Sequence, residues 1–298
     1  MSKEAMPKRV GIIGGSGLYA IDGIEIIDHL QIDTPFGAPS NDLVLARIHN
    51  QEVVFLPRHG NAHRIPPHKI NYRANIYAMK LAGVEKIISI SAVGSLREAI
   101  APGDFIIVDQ FVDHSKDRDS TFFDGPVVAH VSMADPVCSH LHQKLITACE
   151  ASNIVTHQSG TYLVMQGPQF STRAESELYR SWGMDVIGMT NMPEAKLARE
   201  AEICYATVAM STDYDCWHGE EENVSVSSVI EVMQSNVEKA QRMLHAFFVN
   251  GVANDLNRER DLSHCECQSA LDHGIFADLK AQDDEALRPI HALVEKFL

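Results

Sequence analysis

Cationic side chains are scarce. Lys and Arg total 25 against 40 Asp and Glu in 298 residues, a formal charge of −15. A duplex-binding surface needs clustered Lys and Arg to neutralise phosphates, so no nucleic-acid partner is expected. One local cationic pocket is still enough for a small anion. Long apolar runs are missing too. None reaches the roughly 20 residues that span a bilayer, so no membrane partner is expected. The opening MSKEAMPKRVGIIGG has no apolar h-region and no cleavage signal. These absences lead to the expectation of a soluble, cytoplasmic protein. Aromatics are lean at 7%, yet 45% hydrophobic residues beside 22% charged ones can build a core. That excludes disorder and a disulfide-stapled mini-fold.

Cysteine is sparse as well: six, at 138, 149, 204, 216, 265 and 267. In an intracellular enzyme most should be reduced, small apolar fillers. Cys265-Glu266-Cys267 is the unusual spacing and reads either as two ordinary thiols or as a disulfide or redox pair. His264 beside it invites a metal, but no second ligand pair has zinc-finger spacing, so no metal is expected.

At roughly 150 residues per domain, the length allows one large domain or two smaller ones. There is no repeat and no low-complexity stretch. Residues 9–13, 43–48, 52–57, 86–91, 105–109, 185–189 and 204–211 read as strands. The second and third form a hairpin turning at Asn50. Pro66 and Pro67 open a helix that carries Ile70, Ala74, Tyr77, Ala78 and Leu81 at helical spacing and ends at Gly83. Thr172 and Glu175 form a capping box for a helix ending at Gly183. Pro193 opens another, and Val226, Val229, Ile230, Met233, Val237 and Leu244 mark a long amphipathic one. The pattern predicts a single α/β domain over 1–250, with a central mixed sheet flanked by helices. Residues 251–298 form a C-terminal extension with the Cys-x-Cys, packed on the same domain.

In such sheets ligands bind off the carboxyl ends of strands. The expected ends are 14–17, Arg58-His59, Ser91-Ala92, Met189-Thr190 and Thr212-Asp213. Gly15 to Ala20 fits G-x-G-x-x-A, but the next strand begins almost at once and leaves no room for the helix that a dinucleotide fingerprint needs. No Gly-Lys-Ser/Thr follows either. What remains is a turn whose N–H groups and Ser16 hydroxyl can face an anion. Arg58 offers a bidentate fork for phosphate oxygens and His59 one further donor. Ser91 and Thr190 add hydroxyls. Donors at five strand ends, without an acidic Mg²⁺ ligand set, point to a bare inorganic anion.

The motifs GIIGGSG, DTPFG, PRHG, NYRANIYAMK, SAVGSL, PGDFIIVDQFVD, GPQFSTRAES, MTNMPEAKLAREAEICYA and MSTDYDCW stand in this order. From about Val10 to Phe248 they resemble the trimeric purine nucleoside phosphorylase family, in its S-methyl-5′-thioadenosine-cleaving branch. The resemblance implies phosphorolysis of methylthioadenosine to adenine and 5-methylthioribose 1-phosphate, with phosphate as co-substrate and no cofactor. It places Ser16, Arg58, His59, Ser91 and Thr190 around phosphate. Ala92 lies beside the substrate, Met189 under the ribose, and Phe170 on the purine with Ser171 next to it. Asp213 and Asp215 read the base, and Val226 and Val229 line the methylthio pocket, although helical Val is more often core packing. His130 reaches the neighbouring subunit's site in a homotrimer, which the apolar stretch 126–133 also favours. The Cys-x-Cys is similar to one that is an oxidised pair in some archaeal and bacterial members.

Cleaving an N-glycosidic bond builds positive charge on the sugar and negative charge on the departing purine. Phosphate beneath the sugar meets the first need. Asp213 is the candidate proton donor for the second, and an exposed aspartate would need burial to hold a proton. Relatives acting on inosine and guanosine carry Asn at the position matching Asp213, so Asp favours a 6-amino purine. The competing readings are a general purine nucleoside phosphorylase acting on inosine, guanosine or adenosine, an NAD-binding oxidoreductase, and a non-catalytic nucleoside-binding protein.

Overall fold

The computed structural model describes residues 8–19, 21, 23–218, 226–249 and 265–298; of Ser16, Tyr19 and 226–230 it describes the backbone alone. The short apolar runs become strands β1 (Arg9–Gly14), β2 (Ile24–Leu30), β3 (Leu43–Ile48), β4 (Gln51–Pro57), β5 (Val84–Ser95) and β6 (Phe105–Val108). They continue as β7 (Gln110–His114), β8 (Thr156–His157), β9 (Thr161–Met165), β10 (Val186–Gly188) and β11 (Cys204–Asp213). All belong to a mixed sheet in the order β2-β3-β4-β1-β5-β10-β9-β7, with β11 joining β5 to β6 and β6 pairing with β8. β1 lies parallel to both β4 and β5. It is covered on both faces, which explains its unbroken apolar run.

Strand alternation sorts the core into two layers. Ile13, Val54 and Ile87 face one side, where helices α1 (Tyr72–Leu81) and α4 (Asn191–Glu200) supply Tyr77 and Leu197. Ile12, Val53 and Ile88 face the other, where α2 (Ser139–Ala151) and α5 (Val226–Val249) supply Leu145 and Phe247. α3 (Arg173–Ser181) opens with the expected capping box of Thr172 and Glu175. The α/β class and its mixed sheet agree with the sequence reading. No described helix is long and apolar enough to cross a membrane.

Two boundaries differ from expectation. α1 begins at Tyr72, not at Pro66, because Ile70 is extended (ψ 130°) and Asn71 caps the helix by accepting from the Ala74 N–H. The prolines sit in a separate turn. β5 does not stop at Ala92 but runs to Ser95. Its last residues pair antiparallel with β10 while β11 follows alongside to Gly94. α2 carries no start signal in sequence, since its N-cap is Cys138 and makes no side-chain cap bond.

Residues 265–298 form short helical turns whose Leu271, Leu279, Leu287, Ile290, Leu293 and Val294 join the α1–α4 core. A bridge between Ala129 and Ile275 and the His130 N–H donating to Gly274 O (2.9 Å) fasten this segment to the 126–133 loop. Ala20 and His264 lie outside the described residues.

Candidate active site

The strand ends converge as expected. Arg58 N donates to Gly14 O at 3.0 Å, tying the end of β4 to that of β1. A cavity of about 350 Å³ opens there. Gly15, Gly17, Arg58, His59, Ser91, Ala92, Phe170, Met189, Thr190, Asp213 and Asp215 all line it. The side chains of Ser16, Val226 and Val229 lie outside the described residues. Ser171 does not line the cavity; its hydroxyl turns to Met165 Sδ at 3.4 Å. His130 is exposed beside Phe276, away from this cavity of its own chain.

The expected fork of Arg58 is already engaged. Its Nε donates to Glu194 Oε2 at 2.8 Å and its Nη2 to Glu194 Oε1 at 3.0 Å, with both side chains buried. Nη2 also donates to Ser89 Oγ, and Nη1 to Ile90 O. Burial works against the Arg58 charge, but the Glu194 carboxylate overrides it and raises the guanidinium above its ordinary value. Arg58 therefore cannot grip phosphate with the paired edge read from sequence. A second set of bonds surrounds Glu194: Ser89 and Tyr205 hydroxyls donate to Oε1, and Asn191 Nδ2 donates to Tyr205, Thr207 and Ser89. Ser91 Oγ donates to Asn191 Oδ1 at 3.1 Å. The buried polar block thus holds the cavity floor in one arrangement.

His59 also departs from its expected role as a donor. Its Nδ1 lies 2.8 Å from Ile65 O. A carbonyl only accepts, so Nδ1 carries the hydrogen, and Nε2 of the neutral ring is an acceptor. Burial holds His59 down at about 4; the hydrogen bond its ring donates to Ile65 O works the other way, and the Arg58 charge adds to the lowering. The folded protein therefore binds this proton less readily than the unfolded chain. The stability that follows is complete above about 6.5 and is lost as the pH falls toward about 4. Urea unfolding across that window should show a steeper loss for the native protein than for His59→Gln; parallel curves would refute the neutral ring.

Asp213 ends β11. Its Oδ1 accepts from Asp215 N (2.8 Å) and its Oδ2 from the Thr212 hydroxyl (2.7 Å). Burial pushes Asp215 above the ordinary aspartate range, the Ser176 hydroxyl at 2.5 Å pulls it back, and the Asp213 charge pushes it further up. Phe170 stands on the rim, 81% exposed.

The match to the phosphorylase superfamily model runs over residues 9–249. The chain belongs to the phosphorylase superfamily. It is 47% identical over 294 residues to the S-methyl-5′-thioadenosine phosphorylase of Geobacter sulfurreducens, covering 98% of this chain and 100% of that one. A methylthioadenosine phosphorylase from an antarctic soil metagenomic library superposes with a TM-score of 0.90 at 44% identity, over 97% of this chain and 99% of the other. A mutant adenosine/methylthioadenosine phosphorylase from Schistosoma mansoni, in complex with methylthioadenosine, does so with a TM-score of 0.80 at 36% identity, over 88% and 96%.

Sequence reasoning missed several residues of this phosphorylase site. Glu194, Asn191, Ser89 and Tyr205 form the block under the phosphate candidates. Their signal was faint: hydroxyls in the apolar run KIISIS, and a Glu one turn into a helix. Arg118 donates to the carbonyls of Met189, Met192 and Gln166 at 2.6–2.8 Å and so fixes the Met189 wall. Tyr162 is fully buried near Ser91 and Thr190, and its hydroxyl has no partner among the described residues. None of these stands out from spacing alone.

Proposed function

We propose that the protein cleaves S-methyl-5′-thioadenosine with inorganic phosphate, giving adenine and 5-methylthioribose 1-phosphate. This is a pentosyl transfer of methionine salvage. The observation that carries the reading is one cavity lined at once by hydroxyls, a buried Arg58, an aspartate pair and an exposed Phe170. Phosphate sits by Ser16, Ser91 and Thr190, with Arg58 contributing its field. Neutral His59 accepts the P–OH proton of hydrogenphosphate at Nε2, which orients an ionised oxygen toward the sugar. Met189 packs under the ribose, Ala92 lies beside the substrate, and Phe170 closes on the purine, while Ser171 stays turned to Met165. As the glycosidic bond breaks, phosphate balances the developing positive charge on the sugar. Asp213 accepts from the 6-amino group, and the raised Asp215 carboxyl shares the task of supplying a proton to the ring nitrogen.

Val226 and Val229 give the 5′-methylthio group an apolar lining. His130, exposed and held by the C-terminal segment, completes the site of a neighbouring copy in a cytoplasmic homotrimer. No cofactor is needed. Phosphate-dependent adenine release from methylthioadenosine, adenosine and inosine, assayed side by side, tests the reading. Methylthioadenosine should turn over best. Preferred turnover of inosine would favour a general purine nucleoside phosphorylase, and no phosphate dependence would remove the proposal. Sedimentation of a fully active monomer would remove the shared site.

A further inference from the structure

Four cysteines from three distant stretches of the chain meet. Cys138 caps α2, Cys204 begins β11, and Cys265 and Cys267 flank the first turn of the C-terminal segment. All four are buried and carry free thiols. Their sulfurs lie within 4.8 Å of one another. Zinc-finger spacing would place a second ligand pair close in sequence. The fold supplies it instead from α2 and β11.

The distances favour one kind of occupant. Cys265 Sγ stands 3.7 Å from Cys138 Sγ and 3.6 Å from Cys204 Sγ. A tetrahedron with Zn–S bonds of about 2.3 Å has edges of about 3.8 Å. Cys265 is thus nearly equidistant from two sulfurs on different elements, as a shared central ion requires. A disulfide needs one partner at about 2.0 Å, and a Cys265–Cys267 bridge would close a strained loop around the single residue Glu266. Four thiolates around a divalent ion leave a net charge of −2, which the surroundings can meet. Cys138 lies at the positive end of thirteen-residue α2, and Arg199, itself buried, lines the same cleft as Cys138, Cys265 and Cys267. That cleft, about 500 Å³, gives an ion access from solvent.

We propose that Cys138, Cys204, Cys265 and Cys267 bind one structural zinc ion. It fastens the C-terminal segment to the α/β body, well apart from the nucleoside cavity. Through that segment it also steadies the 126–133 loop, which Gly274 and Ile275 hold by main-chain bonds. A closed site of four thiolates binds zinc and leaves no open position for chemistry.

The full-length protein, purified under reducing conditions without added chelator, should carry about one zinc per chain by elemental mass analysis. Peptide mapping after alkylation should show these four thiols shielded until a chelator is added. Cobalt exchanged into the site should give the visible absorption of a tetrahedral thiolate. Chelation should lower the melting temperature, and zinc should restore it. Cys265→Ser should cut the zinc content about tenfold or more. If that variant fails to fold, the metal content of the native chain still decides. Folded, reduced protein that takes up no zinc on dialysis would overturn the proposal. So would disulfides among these four residues in protein thiol-blocked at lysis, or full zinc content in folded Cys265→Ser.

Discussion

Asp213→Asn should lose kcat/KM on methylthioadenosine by on the order of 10²-fold or more, and much less on 5′-methylthioinosine. The carboxylate accepts from its own turn, through Asp215 N and the Thr212 hydroxyl. Asn keeps the size and one acceptor, and its amide can face the Thr212 hydroxyl, so the turn should survive. What it cannot do is accept at both oxygens from a 6-amino purine or hold an anionic charge there. A 6-oxo purine meets the new amide donor instead. The preference between the two nucleosides should therefore move toward the oxo substrate. Four kcat/KM values, two substrates on two proteins, check it. An equal fall on both would take base reading away from Asp213. The raised carboxyl of Asp215 would then be the residue to test, as Asp215→Asn.

Glu194→Gln should destabilise the fold by about 3–5 kcal/mol, the cost of leaving a buried charge without its partner. Glu194 is fully buried, and Arg58 is nearly so. Gln preserves shape and one acceptor oxygen, so the loss combines the missing charge with the one Arg58 hydrogen bond that an amide nitrogen cannot accept. The measurement is urea unfolding of both proteins at fixed concentration. The double variant Glu194→Gln with Arg58→Met should recover part of the loss, since an apolar side chain there leaves no orphaned cation. Apparent KM for phosphate in Glu194→Gln gives a second readout. Freed from its partner, Arg58 should hold phosphate more tightly, and KM should fall while stability drops. A loss below about 1 kcal/mol would mean that water or a shifted side chain replaces Glu194.

Local patterning carried much of the architecture. The parallel strands announce themselves because both their faces are buried, and Thr172 with Glu175 marks a helix start whose bonds are all local. The chain bend at Ile70 was not legible, because prolines that permit a helix do not compel one. Nor was the continuation of β5 beyond Ala92, since strand length there depends on β10, nearly a hundred residues further on. The same division holds at the site. Arg58, His59, Ser91, Thr190 and Asp213 were visible as polar groups closing apolar strands. What they bond to was not.

Sequence by itself determined the fold class and the set of polar groups at the strand ends, because burial and strand alternation are short-range patterns. Only the tertiary structure decided that Arg58 faces Glu194, 136 residues away, and that His59 is a neutral acceptor fixed by Ile65. It also decided that Cys265 and Cys267 meet Cys138 and Cys204. Each of these depends on which side chains share a dry volume. In such a volume every charge and lone pair must find its partner, and the identity of that partner is a property of packing, not of spacing along the chain.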